Sequence, residues 1–103
     1  MVQIVVFIPQ SHKELVKQAM FQAGAGMLGN YDSCCFEHSG IGQFRPLQGS
    51  SAYVGAVGVL EFVEEIRVEM MCEASKLPAV IQALKASHPY ETPAYYAINT
   101  VNI

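Results

Sequence analysis

The stretch VQIVVFI at positions 2–8 constrains this chain more than any other, because it is apolar or β-branched at nearly every position. An extended segment sends alternate side chains to opposite faces, so a run that is apolar on both parities needs cover on both sides. It predicts an interior strand, which Pro9 ends because proline has no amide to donate to a ladder. A chain of 103 residues can close one such core but has little material for a second, so residues 1–103 are read as a single domain.

The rest of the pattern supplies partners for that strand. Ser11 and Glu14 have the spacing of a capping box, which predicts a helix with Leu15, Val16, Ala19, Met20 and Ala23 on one stripe and an end at Gly24. Ser33 to Glu37 is compatible with a short strand, and the glycines and prolines between Gly40 and Gly58, with Phe44 and Tyr53 among them, predict an elaborated hairpin connection. From Val57 to Cys72 the chain alternates, with Ile66, Val68, Met70 and Cys72 on one parity and Glu65, Arg67 and Glu69 on the other, as in a strand with one buried face. Ser75 is placed to cap a second helix that tolerates Pro78 in its first turn and buries Leu77, Val80, Ile81 and Leu84. Pro89 drives His88 out of helical backbone, and Ala94 to Ile103 reads as the last strand. The order βαββαβ predicts an α+β, ferredoxin-like sandwich whose helices cover one sheet face.

Composition then bears on what hides the other face. Hydrophobic residues make up 51% of the chain and charged residues 15%, an apolar excess that predicts burial between copies in a homo-oligomer. The six Lys+Arg are scattered and the formal charge is −3, so nucleic acid is not an expected partner. No window reaches the roughly 18 apolar residues of a membrane span, and the expectation is a soluble cytoplasmic protein without membrane contact. Cys34, Cys35 and Cys72 form no C-x-x-C pattern and are expected as reduced thiols.

Three clusters could carry chemistry. Gly24, Gly26 and Gly29, followed by Asn30 and Tyr31, form a glycine-rich loop that either presents amides to a ligand or supplies left-handed turn positions. It follows a helix and lacks the Lys-Ser/Thr ending, so it is not a nucleotide P-loop. His88, Tyr90 and Glu91 bring an imidazole, a phenol and a carboxylate together after a helix, either as a small-molecule or metal site or as a helix stop leading into a strand. Cys34 and His38 share a face of an extended segment and could contribute two metal ligands, while Cys35 and Glu37 lie on the other face. Glu64 and Glu65 are separated by the same alternation and make no acid/base dyad, so no catalytic residue is assigned.

Four stretches together resemble the inserted domain of the Nif-three-like (NGG-interacting-factor) family. They are G-A-G-x-x-G-N-Y-D-x-C from Gly24 to Cys34, G-I-G-Q-F-R-P from Gly40 to Pro46, V-E-E-x-R-x-E from Val63 to Glu69, and H-P-Y-E-T-P-A-Y from His88 to Tyr95. The resemblance implies a fold like the signalling protein PII and the cation-tolerance protein CutA, assembled through its strands as a trimer, with a dimer as the alternative. The dinuclear metal centre of the full-length proteins belongs to flanking domains outside these residues, and its chemistry is not carried over. The expected function is a non-enzymatic oligomeric binding or regulatory module that senses a small molecule or metal ion at a subunit boundary. The alternatives are a metal- or cysteine-dependent enzyme or accessory acting through Cys34, Cys35 and His38, and a docking partner of a separate Nif-three-like protein. No cofactor follows firmly from the residues, and a divalent metal ion is the candidate.

Overall fold

A computed structural model describes residues 1–101. Its elements are β1 (Val2–Pro9), α1 (Lys13–Gln22), β2 (Phe36–Phe44), β3 (Glu61–Cys72), α2 (Leu77–Ser87) and β4 (Tyr95–Asn99). The strands form one sheet in the order β2-β3-β1-β4, antiparallel throughout. This is the ferredoxin-like arrangement, with β1 interior as its apolar run requires.

The core lies between the sheet and the two helices. Val2, Ile4, Val6 and Ile8 of β1 stand beside Cys72, Met70, Val68 and Ile66 of β3, and Val16, Met20, Val80 and Leu84 close over them from the helices. All twelve are buried, each large side chain contributing roughly 1.5–3 kcal/mol of transfer free energy. Edge strand β2 is fastened to α1 by charge: Lys13 and Lys17 reach Glu37 at 2.8 and 2.6 Å. Hydrogen bonds from Lys13 first and Lys17 second hold the Glu37 carboxyl below its ordinary value.

Several boundaries differ from the sequence expectation. Ser11 is not a helix cap: it lies in a 3-10 turn over Gln10–His12, its hydroxyl 2.8 Å from the His12 ring, and α1 starts at Lys13. Ser75 likewise lies within a turn, Ala74–Lys76, that makes no side-chain cap. Leu15 sits about 100° around the helix from Val16 and is 58% exposed. The strand expected over Ser33 to Glu37 begins only at Phe36, since Ser33 has φ 56°, and it runs on through Gly40 and Gly42. Those glycines are ladder positions, paired with Glu65 and Val63, and a Cβ at Gly42 would overlap the Glu65 carboxylate. β3 begins at Glu61 because Gly58, at φ 78°, donates its amide to Pro46 O in a turn. The last strand ends at Asn99, and its expected reach to Ile103 falls partly outside the described residues.

The helix-free face of the sheet is mixed in character. Gln3 Nε2 and Arg67 Nε donate to the two Glu69 oxygens at 3.3 and 3.1 Å, and Arg67 Nη2 donates to the Tyr96 hydroxyl at 3.3 Å. The guanidinium also lies 5.9 Å from the centroid of the Phe7 ring. Around this polar strip Phe36, Tyr96 and Ile98 are 66%, 43% and 49% exposed. Beyond the helices β2 and β3 continue as an arm carrying exposed Ile41 and Phe62, and the molecule measures 46 × 24 × 24 Å.

Candidate functional site

The segment after α2 positions the most built-up site. Pro89 forces His88 into extended backbone (φ −76°, ψ 137°), turning its ring inward under β1. His88 Nε2 lies 2.7 Å from Phe7 O, and Nδ1 accepts the Tyr90 amide at 3.2 Å. A carbonyl can only accept, so Nε2 carries the proton and the ring is the neutral tautomer. Burial pushes the imidazole below its ordinary value, outweighing the Phe7 hydrogen bond. With both nitrogens engaged inside the chain, His88 has no free lone pair to offer a metal and serves to aim the next two residues.

Tyr90 and Glu91 meet the long β2–β3 connection. Glu91 Oε2 accepts the Ser51 amide at 3.0 Å, tying the connection to the α2–β4 corner. The Tyr90 ring lies 4.8 Å from His88, 6.3 Å from Phe44 and 6.1 Å from Tyr53, centroid to centroid. These contacts enclose a cleft of about 430 Å³, lined by Phe44, Pro46, Leu47 and Val54 on its apolar side and by Ser50, Glu65, Tyr90 and Glu91 on its polar side. That size falls within the range of small-molecule sites. The buried Tyr90 hydroxyl faces the Glu65 carboxylate, and Ser50 Oγ is buried without a hydrogen-bond partner. Burial first, and the neighbouring Glu65 carboxylate second, push the Tyr90 phenol well above its ordinary value, so it stays protonated.

The other two clusters are placed differently. Gly24, Gly26 and Gly29 all have positive φ, and Leu28 and Tyr31 exchange backbone hydrogen bonds at 2.9 Å around Gly29 and Asn30. Tyr31 is 75% exposed. The loop's glycines answer a backbone demand: at Gly26 a Cβ would meet the Phe21 ring at 2.7 Å and Cys34 O at 2.9 Å. Cys34 precedes β2, with its thiol 3.5 Å from Asp32 O, and His38 lies on the helix-free face beside Arg67. The pair is therefore not on one strand face as the sequence suggested. Among the described residues no group of three or more His, Cys, Asp or Glu side chains is placed to hold a metal ion. Cys35 packs against the core, and burial raises its thiol despite the nearby Lys17 ammonium, which disfavours the nucleophilic thiolate.

Sequence reasoning reached Tyr90 and Glu91 but missed Ser50 and Glu65 as their neighbours. Phe44 and Tyr53, aromatic residues inside a glycine-rich connection, were the available signal. Nothing local links them to position 90, since the cleft is closed by residues some 40 positions apart, such as Ser51 and Glu91.

Comparison with known proteins follows the fold. No family model matches the chain. A protein of Halalkalibacterium halodurans named GTP cyclohydrolase 1 type 2 homolog is 43% identical over 93 residues, covering 90% of this chain and 25% of its own length. The protein of that name from Bacillus subtilis is 44% identical, with the same coverage. The chain thus spans about a quarter of the length of these relatives. A Bacillus cereus protein related to NIF3 superposes with TM-score 0.85 at 42% identity, over 98% of this chain and 26% of that one. CutA1 from Pyrococcus horikoshii superposes over 100% of this chain and 86% of its own at TM-score 0.72 and 14% identity, a likeness of fold alone. The PII-like protein CutA from Nostoc sp. does so at 0.69 and 14%, over 97% and 81%. The chain therefore resembles, over nearly its whole length, one PII/CutA-like domain of the Nif-three-like family.

Proposed function

We propose that this chain works as a non-enzymatic, homo-oligomeric binding module, its helix-free sheet face buried against further copies and the Tyr90 cleft taking a small ligand beside the subunit boundary. The observation that carries this reading is the row of exposed apolar side chains, Phe36, Tyr96 and Ile98, flanking a polar network on the sheet face that no helix covers. A face of that kind leaves apolar surface in water until a partner covers it, and a second copy presents an equally apolar face to do so. A trimer or a dimer would cover the face.

Native mass spectrometry of the untagged protein, with elemental analysis of the same sample, tests this directly. A trimer or dimer that reverts to monomer in Ile98→Glu, with the fold retained by circular dichroism, supports the reading. A strict monomer at high concentration overturns it.

The 42% identity to a domain-length stretch of a NIF3-related protein favours one second reading, docking onto a Nif-three-like protein. Copurification of the two from cells expressing both would support it, and their separate elution would reject it. The activity named for the full-length relatives is theirs, and no step of it is assigned to these residues.

A further inference from the structure

We propose that His88 is an acid-sensitive latch on the cleft: a proton added at Nδ1 breaks its bond to the Tyr90 amide, and the corner carrying Tyr90 and Glu91 then lets go of the β2–β3 connection. This concerns the regulation of the cleft and rests, for its use to the protein, on the reading of that cleft as a ligand site.

The place of the second proton follows from the first. Nε2 already holds one, donated to Phe7 O at 2.7 Å, so protonation fills the Nδ1 lone pair that accepts the Tyr90 amide at 3.2 Å. Two N–H groups then face each other, and the bond is lost. Phe7 belongs to β1, where it pairs with Arg67 on one side and donates its amide to Ala94 O on the other. The ring is thus anchored to an interior strand, and the irregular corner is the side that gives way.

The surroundings of the ring act in the same direction. Among the described residues its titratable neighbours are Glu65 of β3, which favours the imidazolium, His12 of the turn after β1, which opposes it, and Tyr90, whose ring lies 4.8 Å away. Burial outweighs them and favours the neutral ring, which keeps the latch shut near neutral pH. The Glu65 carboxylate also holds the Tyr90 hydroxyl, so an imidazolium that attracts Glu65 competes with the phenol for it.

What the corner releases is lightly held. Glu91 Oε2 accepts the Ser51 amide at 3.0 Å, and the Tyr53 ring rests against Tyr90 at 6.1 Å and His12 at 5.8 Å. Residues 51–60 are exposed throughout, and Gly49 and Gly55, at φ 94° and 96°, bracket the stretch that carries Ser51 and Tyr53. A segment with so few ties opens locally when the partners at Tyr90 and Glu91 move, without unfolding of the core.

Amide-resolved NMR of the full chain between about pH 8 and about pH 5 tests this. The expected result is that the His88 ring protons titrate with a midpoint below 6.5 and that the Tyr90 and Ser51 amides shift with the same midpoint, while buried Val6 and Val68 do not move. Below that midpoint the Ser51 amide should lose at least about fivefold in protection from exchange, the factor that one net hydrogen bond supplies. His88→Gln, which takes up no proton, should hold both amides fixed across the range, and His12→Gln should leave them titrating. If the two amides still titrate in His88→Gln, or stop titrating in His12→Gln, the latch is overturned. It is equally overturned if His88 charges while Ser51 stays in place, or if the whole fold melts before His88 takes a proton. Should His88→Gln not fold, the shared midpoint in the parent chain and in His12→Gln decides. None of these readouts uses a ligand, so a cleft that binds nothing would sink the ligand site and leave the latch standing.

Discussion

Tyr90 and His88 sit two positions apart and make opposite use of burial. The Tyr90 hydroxyl is buried against the Glu65 carboxylate, so Tyr90→Phe, which leaves that carboxylate without its donor, should lower stability by about 1–3 kcal/mol in urea unfolding. An unchanged or raised stability would show that the hydroxyl makes no such bond. His88 is buried, hydrogen-bonded and neutral, and its folded pKa lies below the unfolded value of 6.5. Between those two values the unfolded chain holds the proton and the folded chain does not. Stability is therefore full above about pH 6.5 and falls as the pH drops from there through the folded pKa. Chemical denaturation between pH 7.5 and roughly pH 5 should show this decline, and His88→Gln, which keeps a donor for Phe7 O, should flatten it. An unchanged slope in the variant would assign the decline to other groups.

Among the elements, the turn joining α1 to β2 offers the sharpest contrast. Gly26 has φ 78° with a ring and a carbonyl inside the space a Cβ would need, while Gly29 has φ 56° and open space around it. Gly26→Ala should cost more than about 2 kcal/mol, combining a left-handed backbone with a steric clash, and Gly29→Ala only about 1 kcal/mol. Equal losses in thermal or urea melts would contradict the packing described here. The same contrast explains what could be read from sequence. The order of elements, the β1 and β3 core parities, and the α2 stop at Pro89 were legible, because each rests on local periodicity or on proline's fixed backbone. Strand β2 was not, since Gly40 and Gly42 look like punctuation and become ladder positions only beside Glu65 and Val63 of another strand. The caps failed for a similar reason: Ser11 and Ser75 have the right spacing, but tight turns after Pro9 and Glu73 hold them where no cap bond forms. Of the cleft, Tyr90 and Glu91 stood out as a motif, and Ser50 and Glu65 acquired meaning only when the long connection folded back on them.

At the scale of the molecule, the arm of β2 and β3 and the uncovered sheet face leave more apolar surface in water than one copy needs to expose. The radius of gyration of 14.5 Å exceeds the roughly 13 Å of a compact domain this long, in keeping with that elongation. If assembly covers this surface, the apparent melting temperature should rise with protein concentration across a range spanning dissociation, and Ile98→Glu should lose that dependence. A melting temperature independent of concentration in the parent chain would count against coupled assembly. The central position of β1 has a separate consequence, in time. β1 leaves the ribosome before either neighbour exists, and its two edges are matched only by β3 and β4, some 60 and 90 residues later. Its apolar run must therefore wait through the synthesis of some 60 residues with both hydrogen-bonding edges open, and through nearly the whole domain with one. During that interval the nascent chain is most exposed to chaperones and to mispairing with its own copies.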